Sequence, residues 1–163
     1  MAKTLIQMSI FWSVLLFLLP SLIFSVEGRV GLECIRFSSF LWEGVGIVFF
    51  VSGSLLAITS CIFLVIRGLG SPVPFDCPSK LVERGPYKFV RNPMAVSGII
   101  QGLGIAFWCG SVAILVYVAV GVLVAEFVIR PWEESDLEAR FGYDYREYSK
   151  RVSRWFPWPK GDK

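Results

Sequence analysis

Long apolar runs are the feature that most constrains how this chain folds. They extend over Leu5 to Val26, about Leu41 to Ile66, Met94 to Trp108 and Ser111 to Ile129. A transmembrane helix needs about 20 consecutive apolar residues, because its backbone must satisfy its own hydrogen bonds in lipid. The sequence therefore predicts an all-helical integral membrane protein with about four transmembrane helices. The last two runs, separated only by Cys109 and Gly110, form a tight helical hairpin.

The first run has two interpretations, a cleaved signal peptide or a retained helix. Its apolar part is longer than the usual core of a signal peptide, and no clear small-residue cleavage site follows it. The retained transmembrane helix is favoured.

Basic residues flanking the runs predict the topology. Two lie between residues 27 and 43, five between 67 and 93, and eight from residue 130 onward. Cytoplasmic loops carry the excess of Lys and Arg, so the N-terminus, the long loop and the tail are expected in the cytoplasm. We expect one membrane domain over residues 1–163: two anchoring helices (1–67), a cytoplasmic loop (68–93), the hairpin (94–129) and a tail that completes a ligand site (130–163).

Composition excludes several function classes. The net charge is only +3, and basic residues alternate with acids and apolar runs, so nucleic acid binding is not expected. The chain has no histidine, which removes the commonest general base and metal ligand. No metal site is expected. No glycine-rich motif lies between a strand and a helix, so a Rossmann nucleotide site is not available.

Two clusters of polar residues flank the hairpin. Arg91, Asn92 and Pro93 begin its first arm, where free backbone N–H groups either form a simple helix cap or face a ligand carboxylate or ribose oxygen. Glu126, Arg130 and Glu133 follow one another at spacings of four and three, so they share one helix face. They form either an interfacial ladder of ion pairs or a ligand site, and spacing alone does not decide.

Several other residues have two interpretations. Gly98 and Gly102, spaced for close helix contact, either pack against a neighbouring helix or leave room for a ligand. Gln101 is a polar side chain at membrane depth and needs a partner. In the tail an apolar stripe at helical spacing predicts a cytoplasmic amphipathic helix: Leu137, Phe141, Tyr145, Tyr148 and Val152.

These residues carry a family resemblance. The series consists of GPYKFVRNPM (Gly85 to Met94), Gly98, Glu133, Glu134, Leu137, Phe141, Gly142, Tyr145, Tyr148, Val152, Arg154 and Pro157, preceded by a similar lead-in from Gly70 to Gly85. In order and spacing it resembles the isoprenylcysteine carboxyl methyltransferase and phospholipid methyltransferase family. The resemblance covers about Gly70 to Pro159.

The resemblance implies a membrane methyltransferase that uses S-adenosylmethionine, held by the hairpin and the tail, with a lipid or isoprenyl-bearing acceptor entering from the bilayer. Its small bacterial members imply a location in a bacterial inner membrane. Arg130 and Glu134 would orient the acceptor as catalytic residues. The implied cofactor-binding residues are Tyr87, Arg91, Asn92, Pro93, Gly98, Gln101 and Glu133. The chain departs from the family pattern at Asn92, where histidine is common, and at Ala95, where tyrosine is frequent.

The residue inventory bears on the acceptor. Methyl transfer from a sulfonium needs mainly alignment and desolvation. A carboxylate acceptor needs no general base, whereas an amine must lose a proton, so the absence of histidine favours carboxylate O-methylation over N-methylation of a phospholipid amine. Two further alternatives are a non-catalytic membrane scaffold and a sterol-reductase-like enzyme that uses NADPH.

Overall fold

A computed structural model describes residues 10–31, 36–37, 39–68 and 79–156, and these residues are almost entirely helical. We number the helices in chain order as α1 (Ile10–Arg29), α2 (Phe40–Gly68), α3 (Pro93–Cys109), α4 (Val112–Val124) and α5 (Arg130–Arg151). Helix α1 contains a π-helical segment, Val14–Leu18, α2 ends in another, Leu64–Gly68, and a third, Ala125–Ile129, joins α4 to α5. A 3-10 turn, Gly85–Lys88, precedes α3.

Within this described part, three helices are long and apolar enough to cross a membrane: Ile10–Arg29, Phe40–Gly68 and the continuous helix Val112–Arg151. Helix α3 is also apolar but has only 17 residues. Large apolar side chains are exposed along α1, α2 and α4, as expected of helices that face lipid. The predicted all-helical membrane protein is confirmed, with three long spanning helices and one shorter apolar helix. The beginning of the first run, from Leu5, and the segment from Gly70 to Pro78 lie outside the described residues.

Glycines bring α2 and α3 into backbone contact. A Cβ atom on Gly46 would lie 2.6 Å from the backbone nitrogen of Trp108 and 2.7 Å from the carbonyl oxygen of Gly104. One on Gly104 would lie 2.7 Å from the backbone nitrogen of Phe50. Small residues at a helix interface allow this close approach, which gives membrane helices most of their packing energy. The backbones of α2 and α3 are therefore in direct contact at these glycines.

The turn between α3 and α4 falls where the sequence predicts it. Gly110 adopts the left-handed conformation with φ of 59°, which glycine adopts without steric cost. The Ser111 hydroxyl then accepts from the Ile114 N–H at 3.1 Å and caps α4. The same hydroxyl donates to Glu27 Oε2 at 2.8 Å.

Glu27 is a buried carboxylate at this end of the bundle. It is only 2% exposed, and besides Ser111 it receives Arg36 Nε at 3.4 Å. Arg36 also lies over the ring of Phe24, 3.9 Å from its centroid. A buried carboxylate is stable only when hydrogen-bonded or paired. This Glu27 cluster, formed by Glu27, Arg36 and Ser111, therefore ties α1 to the hairpin turn.

The opposite end of the bundle is closed by the tail. The apolar stripe of α5 packs together around Tyr145, Tyr148 and Val152, with Leu81 from the loop against it. The Tyr148 hydroxyl donates to the Tyr87 carbonyl at 2.7 Å. The Arg91 N–H donates to the Ser153 carbonyl at 2.9 Å, next to an isolated parallel bridge between Val90 and Ser153. These bonds hold the tail beside the start of α3.

Candidate functional site

A cavity of about 530 Å³ lies among α1, α3, α4, α5 and the turn before α3. Its lining is mainly aliphatic and aromatic, and the three charged residues that line it are Arg91, Arg130 and Glu133. Arg91 precedes α3, while Arg130 and Glu133 begin α5, so all three lie at the end of the bundle that the tail closes. A mostly apolar pocket with a few convergent polar groups is the usual form of a small-molecule site.

Arg91 and Asn92 are positioned by the start of α3. Asn92 Oδ1 accepts from the Ala95 N–H at 3.0 Å, so this side chain is the N-cap of the helix. Arg91 Nη1 lies 3.1 Å from Glu134 Oε1 and 3.5 Å from the Tyr145 hydroxyl. Its Nε is buried and has no partner among the described residues.

Arg130 is the most deeply buried arginine of the site, at 5% exposure. Its Nη1 lies 3.2 Å from Glu133 Oε2, one turn along the same helix, and its guanidinium carbon is 5.5 Å from the ring centroid of Trp155. The buried Nε again has no partner in the described part of the chain. Within the described residues, the buried Nε–H groups of Arg91 and Arg130 thus have no hydrogen-bond partner.

Glu133 and Glu134 are adjacent in sequence but have different partners. Glu133 lines the cavity beside Arg130, whereas Glu134 does not line it. Glu134 accepts from Arg154 through both oxygens, at 3.0 Å from Nε and 2.7 Å from Nη2. This bidentate geometry fixes a carboxylate more firmly than a single contact does. Glu134 in turn contacts Arg91, so it orients Arg91 without lining the cavity itself.

Arg154 joins this carboxylate to a second one. Its Nη1 donates to Glu126 Oε1, and Trp155 Nε1 donates to Glu126 Oε2 at 2.7 Å. Hydrogen bonding to Glu134 is the largest cause that raises the pKa of Arg154 above its ordinary value. We call Glu126, Glu134, Arg154 and Trp155 the tail clamp, because they join the tail to the start of α5.

Tyr87 forms part of the cavity wall at the same end. It is 8% exposed, and burial raises the pKa of its phenol well above the ordinary value. The hydroxyl therefore stays protonated at neutral pH and acts as a hydrogen-bond donor. Tyr145 and Tyr148 of α5 also line the cavity, with their ring centroids 6.3 Å apart and the ring planes tilted.

The structure brings most of the predicted site residues together. Six of them line the cavity: Tyr87, Arg91, Asn92, Gly98, Arg130 and Glu133. Three do not: Pro93, Gln101 and Glu134. Pro93 is buried in the first turn of α3, and Gln101 faces α2, where a Cβ on Gly53 would lie 2.8 Å from its Cγ.

Sequence reasoning assigned no site role to two important residues. Arg154 was noted only as part of the family series, yet it contacts carboxylates 20 and 28 residues before it. Trp12, on α1, lines the cavity and lies against Gly98. Neither contact could be inferred from helical spacing, because each depends on how separate segments pack.

The fold and the cavity together define the class: an all-helical membrane protein with a mostly apolar cavity that has Arg91, Arg130 and Glu133 at one end. The family model described as phospholipid methyltransferase matches residues 42–144. This match covers more than half of the chain, and the protein belongs to that methyltransferase family. The matched region includes α2, α3, α4 and the first part of α5.

Two curated relatives are similar over 75 residues each. Methanethiol S-methyltransferase 1 of Bradyrhizobium diazoefficiens is 41% identical over 44% of this chain and 24% of its own length. Methanethiol S-methyltransferase of Mycobacterium tuberculosis is 35% identical over 45% of this chain and 29% of its own length. The match therefore spans about a quarter of the length of these relatives. No solved structure matches the chain.

Proposed function

We propose that this protein transfers a methyl group from S-adenosylmethionine to a thiol or carboxylate acceptor that enters the cavity from the bilayer. The observation that carries the proposal is the cavity itself, an apolar space with Arg91, Arg130 and Glu133 at one end. Membership of the methyltransferase family gives the type of reaction. The volume of the cavity, about 530 Å³, is within the roughly 300–1,000 Å³ that is usual for binding sites of drug-sized ligands.

The charged end of the cavity fits the amino acid part of S-adenosylmethionine. Arg91 and Arg130 each offer a buried Nε that lacks a partner among the described residues, and a guanidinium binds a carboxylate through paired N–H groups. Glu133 is suited to the ammonium group or to ribose hydroxyls, and the Tyr87 hydroxyl to a polar atom. Gly98 would act indirectly, because the indole ring of Trp12 lies in the space beside it. Asn92, Pro93 and Gln101 would act by shaping α3, through its cap, its first turn and its contact with α2.

The cofactor, when bound, supplies an electrophilic methyl carbon on a sulfonium, which becomes a neutral thioether as the acceptor's sulfur or oxygen forms the new bond. The residues of this chain hold and align the reactants. Arg130, together with Arg91, would attract the carboxylate of the cofactor. Glu134, which does not line the cavity, would act by positioning Arg91. The aliphatic lining excludes water.

The side chains that line the cavity bear on which methyl acceptor it suits. The lining residues include no histidine or lysine, and the carboxylate of Glu133 is paired with Arg130, which suits an acceptor that reacts as an anion. Thiolates and carboxylates satisfy this condition, and the two curated relatives are named for a thiol. The carboxylate O-methylation expected from the sequence stays within this proposal. N-methylation of a phospholipid amine is the alternative, and the experiment below distinguishes it from methyl transfer to a thiol or carboxylate.

The proposed membrane arrangement has four crossings, with α3 as the short one. The loop before α3 and the tail would both lie in the cytoplasm, where S-adenosylmethionine is available. Val120 and Val124 of α4 line the cavity and are also exposed on the bundle surface. An apolar acceptor would therefore reach the site from the lipid.

The direct test is ligand-dependent stability of the purified protein in detergent. A ligand that binds only the folded state raises the free energy of unfolding, by about 2.7 kcal/mol at a hundred times its dissociation constant. We expect S-adenosylmethionine and S-adenosylhomocysteine to raise the unfolding midpoint, and Arg130→Gln to abolish this rise. The control is Arg146→Gln, which alters an arginine with 66% exposure. Transfer of a labelled methyl group to thiol, carboxylate and amine lipids then identifies the acceptor.

Two results would contradict the proposal. An unfolding midpoint that neither cofactor form changes, at saturating concentration, would remove S-adenosylmethionine as the ligand. If only amine acceptors were labelled, the protein would still be a methyltransferase, but the proposed thiol or carboxylate acceptor would be wrong.

A further inference from the structure

The apolar end of the cavity contains a hydrogen-bond donor with no visible partner. Trp12 lines the cavity, and its indole Nε1 is buried without a partner among the described residues. A buried Trp N–H usually finds a hydrogen-bond acceptor. A ligand atom in the cavity would supply the missing hydrogen-bond acceptor.

The ring of Trp12 is held in place by two contacts. A Cβ atom on Gly98 would lie 2.6 Å from Cζ3 and 2.8 Å from Cη2 of the indole, so the ring is in close contact with the glycine. Phe11 packs edge-on against it, with the ring centroids 5.7 Å apart. Gly98 is thus required to admit this ring, and the indole is a wall of the cavity.

This wall lies away from the charged residues. Gly98 is five residues beyond Pro93, a rise of about 7 Å along α3. Tyr117 also lines the cavity. Its hydroxyl is already used, because it donates to the Leu15 carbonyl at 3.0 Å. Among the described side chains at this end, the Trp12 N–H is the donor that remains for a ligand.

We propose that Trp12 is a specificity-determining residue of the acceptor subsite, whose indole N–H donates to the anionic sulfur or oxygen of the methyl acceptor. The inference rests on the proposed function, which assigns the charged end to the cofactor and leaves this end to the acceptor. Phe11, Leu15 and Val118 would surround the acceptor's apolar part. The subsite selects a small or slender apolar molecule with one hydrogen-bond-accepting head, and it disfavours an ammonium, which cannot accept.

The test observes the indole directly and does not depend on turnover. The chain has six tryptophans, so protein labelled with 15N-tryptophan gives six indole signals in detergent micelles. The Trp12→Phe variant, which keeps an aromatic ring and removes the N–H, identifies the Trp12 signal. Protein saturated with S-adenosylhomocysteine is then titrated with propanethiol, butyrate or propylamine, which share a propyl chain and differ in the head group.

We expect the Trp12 signal to move with propanethiol or butyrate and to stay in place with propylamine. The signal of Trp108, which is 59% exposed, is the internal control. For the acceptor that the wild-type protein methylates, Trp12→Phe should raise KM about tenfold, while the cofactor-induced rise in unfolding midpoint is unchanged. Trp108→Phe should change neither quantity.

The outcomes separate this inference from the proposed function. If S-adenosylhomocysteine raises the unfolding midpoint but the Trp12 signal ignores all three probes, or moves equally with propylamine, the subsite assignment is wrong and the cofactor site stands. If neither form of the cofactor changes the midpoint, the proposed function and this inference both fail.

Discussion

Arg154 shows how much one side chain of the tail contributes at the residue scale. It binds Glu134 through two nitrogens and Glu126 through the third, and Glu134 in turn contacts Arg91. The guanidinium fork can make these contacts together, whereas the compact ammonium of lysine cannot. The orientation of Arg91 at the cavity thus depends on a residue that does not touch the cavity.

Arg154→Lys should therefore impair the site while the protein still folds. We expect a loss of about 1–2 kcal/mol in stability, between an exposed ion pair and a charged hydrogen bond, and at least a tenfold lower rate of methyl transfer. Arg146→Lys is the matched control, since Arg146 is exposed and its ion pair within the described residues is with Glu138. Equal rates for both variants, measured by labelled methyl transfer, would refute the role of the tail clamp.

At this scale the sequence predicts which charged residues lie at the cavity better than it predicts their ion-pair partners. The charged residues at the cavity, Arg91, Arg130 and Glu133, are identified by position in the chain and by family resemblance. Helical spacing predicts that Arg130 forms an ion pair with Glu126 or Glu133, and in the structure it pairs with Glu133. Glu126 instead pairs with Arg154 and Trp155, which lie 28 and 29 residues later. Local periodicity cannot encode such a distant contact.

At the element scale, the packing of α2 on α3 depends on glycines that face each other. Gly44 and Gly46 are two residues apart on α2, yet their surroundings differ. In the part of the chain that the structure describes, no atom outside the local helix lies within 4 Å of a Cβ on Gly44, whereas one on Gly46 would meet the backbone of α3 at 2.6 Å. Backbone cannot move aside as a flexible side chain can.

Gly46→Ala should destabilise the protein by about 1–3 kcal/mol, as overpacking of a well-packed interface does. Gly44→Ala should be neutral or stabilising by about 0.5–1 kcal/mol, because alanine is the better helix former. The midpoints of thermal unfolding in detergent measure both effects. A Gly46→Ala variant as stable as Gly44→Ala would show that the two helices do not meet at this point.

The cap of α4 has a second role that the cap of α2 lacks. Ser111 both accepts from Ile114 and donates to the buried carboxylate of Glu27, whereas exposed Ser39 accepts from Leu41 alone at 3.4 Å. Ser111→Ala should cost about 2–4 kcal/mol, the sum of a lost cap and a lost bond to a buried charge. Ser39→Ala should cost about 1 kcal/mol or less. Similar losses in the unfolding midpoint would exclude the proposed link from α1 to the hairpin.

Element boundaries were largely predictable because hydropathy defines them. The sequence predicts a second helix from about Leu41 to Ile66, and α2 extends over Phe40–Gly68. Helix α1 continues to Arg29, beyond the predicted end at Val26, because Glu27 is buried by the Glu27 cluster. The π-helical segments were not predicted, since they change the hydrogen-bond pattern without changing the apolar pattern.

At the scale of the whole molecule, the polar clusters lie at opposite ends of the bundle. The Glu27 cluster joins the hairpin turn to α1, while the tail clamp joins the beginning of α5 to the tail. The proposed topology assigns the tail clamp to the cytoplasm and the Glu27 cluster to the other side. The distribution of basic residues supports it, with eight from residue 130 onward and two between residues 27 and 43.

Labelling of single cysteines in intact bacterial cells tests this orientation. In a variant without the native cysteines, Val30→Cys and Tyr143→Cys place a thiol at positions that are 65% and 74% exposed. A membrane-impermeant maleimide should label position 30 in intact cells and position 143 only after permeabilisation. The reverse pattern would place the cofactor end outside the cytoplasm and contradict the proposed supply of S-adenosylmethionine.

The pairing of Arg91 with Ser153 has a consequence for how the protein is made. The backbone of the segment before α3 is bonded to the tail, some sixty residues later in synthesis. A nascent chain that ends before Arg154 therefore lacks the tail clamp. On the proposed function, binding of the methyl donor would first become possible once the tail has been synthesised and lies beside the start of α3.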